Sequence, residues 1–300
     1  MGTPAFAVSS LRVLVENGWN VVAVVTAPDK PQGRGQKLIP SPVKVQALEF
    51  GIPVLQPSNL KSPDFISELA TFKADLQIVV AFRMLPEVVW SMPPKGTFNL
   101  HASLLPNYRG AAPINWAIIN GETQTGVTTF YLKHEIDTGS VIFQESEPIF
   151  PEDNVGTLYE RLMHKGALLV NKTVEAIAAG KVLPIPQDET MAVHHAPKIF
   201  KDTCQIDWEK ASGEIHNLIR GLSPYPAAWT ILDGKMLKIF LSSALESDLS
   251  GKNPGEYATD GKNELLFQTG QGSLNVLELQ LEGKKRMGVG EFLRGNRLES

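Results

Sequence analysis

Three hundred residues, 43% hydrophobic and 20% charged, make an ordinary globular chain with room for two domains, and exclude a disordered or fibrous one. A net charge of −4 and a pI of about 5.9 exclude whole-molecule attraction to nucleic acid or anionic membrane, so a nucleic-acid partner needs a local basic patch. The single cysteine, Cys204, excludes an intrachain disulfide and reads as a small core residue, and no apolar run reaches the roughly 18 residues of a spanning helix, so a cytoplasmic protein without membrane contact is expected.

Three hydroxyl–proline pairs, Thr3-Pro4, Ser41-Pro42 and Ser62-Pro63, predict helix starts, because a hydroxyl caps free N–H groups and proline suits the first helical position. The first helix runs to Asn17 and stops at Gly18. Residues 21–26 (VVAVVT), 76–81 (LQIVVA), 97–100, 126–131 and 141–143 predict strands. Near-continuous apolar strands separated by helices predict an α/β domain with a doubly wound, mainly parallel sheet covered on both faces. Residues 155–179 form one long helix closed by Gly180. The texture then changes. Residues 182–197 hold three prolines and no periodicity, and a linker is expected over 182–203. Beyond Cys204, one helix at 213–221 precedes strand-like pieces at 229–232, 236–241, 265–269 and 274–281. These predict a smaller β-rich domain over 204–300, a barrel of the OB type. A doubly wound domain opens with a strand that feeds its first helix, yet Met1-Gly2-Thr3-Pro4 enters the helix directly.

The densest polar cluster is Asn99-Leu100-His101-Ala102-Ser103-Leu104-Leu105-Pro106, followed by Tyr108-Arg109-Gly110. Asn99 and His101 lie two apart at a strand end, so their side chains leave on one face, at the sheet edge where such folds bind ligands. An amide that donates to an oxyanion, beside an imidazole that moves a proton near neutral pH, suits acyl transfer. The same residues also read as strand-end groups satisfying backbone. Asp137-Thr138-Gly139 lies between two predicted strands; an aspartate facing a histidine favours imidazolium, though Asp before Thr-Gly is also ordinary turn chemistry. Three weaker patterns carry nothing. Gly33-Arg34-Gly35 lacks the third glycine of a dinucleotide loop, His194-His195 has no further ligand spacing, and His134-Glu135 lacks a second histidine four residues on.

The string FNLHASLLPNYRGAAPINWAIINGE, with HEIDTG downstream, resembles the formyltransferases that use 10-formyltetrahydrofolate. The resemblance implies an active site of Asn99, His101 and Asp137 and no metal. It places Ser103, Leu104, Leu105 and Pro106 along the folate site, with Phe82, Met84 and Leu85 of the neighbouring loop. Phe82 and Arg83 depart there from the A-Y-G common in relatives. The opening GTPAFAVSSL, the loop PDKPQGRGQKLIPSPVK, and DW, GLSPYPAAW and EGKKRM downstream resemble the branch that acts on initiator methionyl-tRNA. This implies a catalytic domain over 1–181, a tRNA-binding domain over 204–300, and a monomer. Lys30, Arg34 and Lys37 of the loop, with Lys284, Lys285 and Arg286, are the expected tRNA contacts. A mobile loop with a cation between two glycines can follow a phosphate backbone, although a solvated loop has the same composition. The rivals are a relative acting on a small amine, which needs neither loop nor second domain, and a noncatalytic RNA-binding module, against which the Asn/His/Asp set speaks. The family's first strand is absent, Met1 standing where it would end, and marginal stability is expected from that gap.

Overall fold

The computed structural model describes residues 1–32 and 36–298. They form two compact units, one of Met1–Gly110, Thr125–Glu147 and Tyr159–His195, the other of Ala111–Gln124, Pro148–Leu158 and Ala196–Ser300.

In chain order the first 181 residues give α1 (Ala5–Glu16), β1 (Val24–Val25), β2 (Lys30–Gln32), β3 (Lys37–Ile39), α2 (Pro42–Glu49), β4 (Val54–Leu55), α3 (Pro63–Thr71), β5 (Gln77–Val80), α4 (Glu87–Trp90), β6 (Thr97–His101), β7 (Arg109–Gly110), α5 (Pro113–Ile119), β8 (Gln124–Tyr131), β9 (Val141–Pro148) and α6 (Val155–Ala178). Of the three expected hydroxyl caps one forms: the Lys44 N–H donates to Ser41 Oγ at 3.1 Å. The helix after Ser62 has no side-chain cap bond, and in α1 the cap position falls on Pro4, beyond the reach of the Thr3 hydroxyl's expected role. The α1 stop is as expected, with Asn17 at the C-cap and Gly18 at φ +76°.

β1 pairs in parallel with β4, and β5 in parallel with β6. β8 joins β6 antiparallel, and β9 lies beside β8. The connection at 132–140 is too short for the crossover that a parallel neighbour would need. The strand expected over 21–26 is ladder-paired only at Val24 and Val25. Between β1 and β5 the chain supplies one rung: Gly2 bridges Val80 in parallel, the Gly2 N–H donates to Val25 O at 3.0 Å, and the Val80 N–H donates to Met1 O at 2.9 Å. Gly2 suits this place because a Cβ there would sit 2.5 Å from Ala7 Cβ and 2.9 Å from Val80 O. Beside that rung lies a cavity of about 490 Å³ lined by Met1, Val21, Val22, Leu76, Ile78 and Ile177 among others. One face of this unit buries Val25, Leu55, Phe65, Leu69, Val79 and Val89.

The second unit carries β11 (Ala228–Leu232), β12 (Lys235–Leu245), β13 (Tyr257–Thr259), β14 (Leu265–Gln268), β15 (Ser273–Leu281) and β16 (Met287–Gly288), with α7 (Ser212–Leu222) and α8 (Val289–Gly295), after a short β10 (His195–Ala196). The sheet runs β11-β12-β15-β14-β13, with β16 on β15. Register shifts in β12 between Ile239 and Ser242 bend it, curling the sheet into a half-barrel. Ile215, Ile219 and Leu222 of α7 bury with Leu237, Ile239, Phe267, Val276 and Leu279. Cys204 is part of this core, its thiol donating to Phe200 O at 3.3 Å and held above its ordinary pKa by burial.

Candidate active site

β6 ends on the residues that matter. Its ladder sets Asn99 opposite Phe130 and His101 opposite Thr128 in β8, so both polar side chains leave the same face two residues apart. His101 is buried, and its Nε2 lies 2.8 Å from the Tyr108 carbonyl oxygen. A carbonyl only accepts, so Nε2 carries a proton and Nδ1 is the nitrogen left for chemistry. Nδ1 faces Asp137 Oδ2 at 3.7 Å, within ion-pair reach and longer than a direct hydrogen bond. The ring is thus held from behind by Tyr108 and answered in front by Asp137. Asn99 is half-buried in the same strand, and its carboxamide has no hydrogen-bond partner among the described residues.

Asp137 sits in the β8–β9 connection with φ +55°, and Tyr108 has φ +61°. Two non-glycine residues in the left-handed region on either side of one imidazole mark a backbone held by its surroundings. For Asp137 those surroundings include the Gly110 N–H, which donates to Oδ2 at 3.1 Å. Gly139 is required by close approach: a Cβ there would fall 1.6 Å from Tyr131 O. Gly139→Ala is therefore expected to destabilise the fold by roughly 1–3 kcal/mol and to lower activity with it. A thermal midpoint equal to the parent's would show that this turn relaxes freely.

The loop after His101 is stapled from beneath. Thr128 Oγ1 donates to Ser103 O at 2.6 Å and accepts from the Leu105 N–H at 3.2 Å. Gln144 Nε2 donates to Leu105 O at 2.7 Å and to Thr128 Oγ1 at 3.0 Å. Of the expected folate residues, Ser103 is wholly buried with its hydroxyl donated to Asn107 O, and Leu105 is buried, while Leu104 and Pro106 are half-buried. In the neighbouring loop Met84 is 71% exposed, Phe82 is half-buried, and Leu85 belongs to the core. Arg83 donates to Pro57 O and Ser58 O at 2.7 and 3.1 Å and lies over the Phe82 ring.

The segment expected to be a linker is ordered against this site. Gln187 Nε2 donates to Asp137 O and Gly139 O, both at 2.8 Å, and its Oε1 accepts from Arg109. His194, set aside as a metal ligand, stacks on Tyr108 with ring centroids 5.3 Å apart. No group of three His, Cys, Asp or Glu side chains suited to a metal occurs among the described residues.

Of the expected tRNA contacts, Arg34 lies outside the described residues. Lys30 and Lys37 stand on the antiparallel β2–β3 hairpin, with Lys30 exposed. Lys284, Lys285 and Arg286 are exposed; Lys285 pairs with Glu291, and Arg286 pairs with Glu278 and covers the Phe240 ring. Thr128, Gln144 and Gln187 went unnoticed in the sequence because isolated polar residues at such spacings carry no local pattern.

A formyl transferase family model matches residues 1–174, and a model of the formyl transferase C-terminal domain matches 198–297. The methionyl-tRNA formyltransferase of Bacteroides fragilis is 58% identical over 304 residues, covering 98% of this chain and 93% of that one. Its counterpart from Parabacteroides distasonis is 56% identical, covering 98% and 94%. In fold, the chain is similar to an N-formyltransferase from Helicobacter canadensis solved with folinic acid and dTDP-3-aminofucose, at TM-score 0.67, 22% identity, and 92% and 96% coverage.

Proposed function

This chain belongs to the formyl transferase family, and from that premise we propose that Asn99, His101 and Asp137 carry out its reaction. It transfers a formyl group from 10-formyltetrahydrofolate to the α-amine of methionine on initiator methionyl-tRNA, in support of translation initiation. The observation that carries the site assignment is the convergence of a half-buried carboxamide, a buried imidazole of assigned tautomer and a carboxylate 3.7 Å from it at one strand end.

The amine attacks the formyl carbon directly. A carbon–nitrogen bond forms to methionine as the bond to the folate nitrogen breaks, and one proton passes from the attacking amine to the leaving nitrogen. The Asn99 carboxamide donates to the formyl oxygen as it gains charge. His101, its Nε2–H committed to Tyr108, works through Nδ1, which takes up the proton shed by the amine and then acts as proton donor to the leaving folate nitrogen. Asp137 faces that nitrogen and assists removal of the amine proton. Ser103, Leu104, Leu105 and Pro106, with Phe82, Met84 and Leu85, form the folate site. No metal enters.

Residues 1–181 make the catalytic domain and 204–300 the tRNA-binding domain, joined by 182–203, in a monomeric cytoplasmic enzyme. No helix of the described residues is long and apolar enough to cross a membrane. Formyl transfer to methionine-charged initiator tRNA, compared with transfer to a nucleotide-linked amino sugar, tests the acceptor. Preference for the sugar would replace this reading with that of a small-amine enzyme.

Arg34, Lys30 and Lys37 with Lys284, Lys285 and Arg286 are the proposed phosphate contacts. Arg34→Ala is expected to raise KM for methionyl-tRNA and leave that for folate unchanged. The log–log salt dependence of tRNA binding should become shallower by about 0.7–0.9 for one lost phosphate contact. An unchanged slope and affinity would assign the loop to solvent.

A further inference from the structure

We propose that Gln187 is a positioning residue for the reaction, acting through Asp137; this rests on the active-site reading above. Its side chain spans the turn that carries the carboxylate. Nε2 donates at 2.8 Å to both Asp137 O and Gly139 O, so the two carbonyls flanking Thr138 are tied to one amide. Oε1 accepts from Arg109 Nη2 at 2.6 Å and Nε at 3.1 Å, and Arg109 in turn holds Glu189 with two bonds at 2.7 and 2.9 Å. Arg109 stands between the two backbone groups already engaged in the site: the Tyr108 carbonyl takes the His101 proton, and the Gly110 N–H binds the Asp137 carboxylate. Residues 108–110 therefore touch His101, Asp137 and Gln187 together, and Gln187 closes the loop back to Asp137.

The consequence is mechanical. Asp137 adopts φ +55°, a conformation that an L residue keeps only when its neighbours hold it. Glycine at 139 lets the turn lie against Tyr131 but adds no grip of its own. The Gly110 N–H holds the carboxylate, while the grip on the backbone of the turn comes from the Gln187 amide, and an Asp137 backbone free to relax would turn the carboxylate off His101 Nδ1. A segment with the composition of a linker thus sets the geometry of the proton acceptor.

Two substitutions test this in the full chain. Gln187→Glu keeps the length and Arg109's partner, but turns a double donor into an acceptor facing two carbonyls. Gln187→Ala removes both ends. Each is expected to lower kcat about tenfold, with KM for folate and for methionyl-tRNA within twofold of the parent, since the loss falls on two hydrogen bonds that orient a reacting group. A merely structural tie would lower the thermal midpoint and the folded fraction, leaving kcat per folded molecule in place. A kcat per folded molecule at the parent's value in Gln187→Glu overturns the inference. Asp137→Asn separates the two levels: full activity there removes Asp137 itself from the site, whereas a crippled Asp137→Asn beside an unaffected Gln187→Glu removes only the role of Gln187.

Discussion

Asn99→Ala is expected to lower kcat by about 10²–10³-fold, the usual effect of deleting one oxyanion donor. The reason lies in timing. The formyl oxygen is a weak acceptor in the bound donor and a strong one once the amine has added, so the amide stabilises the transition state more than the ground state. KM for the folate is accordingly expected to stay within a few-fold. The carboxamide is poised for this because β6 pins the Asn99 backbone between Val79 and Phe130 while its side chain remains half-buried and uncommitted. Steady-state kinetics with both substrates varied decides the point. Equal turnover in variant and parent would take Asn99 out of the mechanism, and a rise in KM alone would make it a binding group.

The second large effect concerns the gap between β1 and β5. Fusing an apolar, β-branched segment of roughly six to ten residues ahead of Met1 is expected to raise the unfolding free energy by a few kcal/mol. Such a segment would meet partners already in place. Met1 and Gly2 already carry the hydrogen bonds of its last rung, parallel to β5. The cavity of about 490 Å³ beside them is lined by Val21, Val22, Leu76 and Ile78, side chains that a strand would cover. A strand there would bury aliphatic side chains on both of its faces and pair the open backbone edges on either side of it.

A second signature accompanies the first. The Met1 amine donates to Ile78 O at 2.7 Å in this apolar setting, and burial pushes its pKa down to about 5. The unfolded chain takes up that proton below about pH 8, whereas the folded chain does so only below about 5. More protons on the unfolded side mean that stability rises with pH between those values, by up to about 4 kcal/mol at about 1.4 kcal/mol per unit. In the extended chain the amine becomes a peptide N–H, and this slope is expected to vanish. Denaturant midpoints of both chains at pH 5.5 and 8 read both effects. Coincident midpoints at both pH values would mean that the gap gains nothing from a strand.

Much of this was legible along the chain. Alternation of apolar runs with amphipathic stretches marked β5, β6, β8 and the long α6 nearly to the residue, because burial on a sheet or a helix face imposes its period locally. The step of two between Asn99 and His101 already put them on one face, and Asp137 before Thr-Gly already signalled a turn. Composition was less informative where partners are distant. Hydroxyl–proline pairs looked alike at three helix starts, yet only Ser41 found its N–H, since a cap depends on how the preceding chain enters the helix. The run at 21–26 is apolar throughout, but a strand exists only where a neighbour pairs with it, which leaves Val24 and Val25.

What the sequence determined by itself was therefore the set of candidate reacting groups and the element that bears each one. Their working arrangement was decided by tertiary structure. The tautomer of His101 depends on a carbonyl seven residues away, delivered by a loop that turns back on itself at Tyr108. The hold on the Asp137 backbone comes from Gln187, 50 residues later, braced by Arg109 at a separation of 78, beside the Gly110 N–H on the carboxylate. A proline-rich stretch without periodicity looks like a tether because propensity and pattern report only on near neighbours. Hydrogen bonds between an amide and two carbonyls are set by folded distance, and no local signal encodes them.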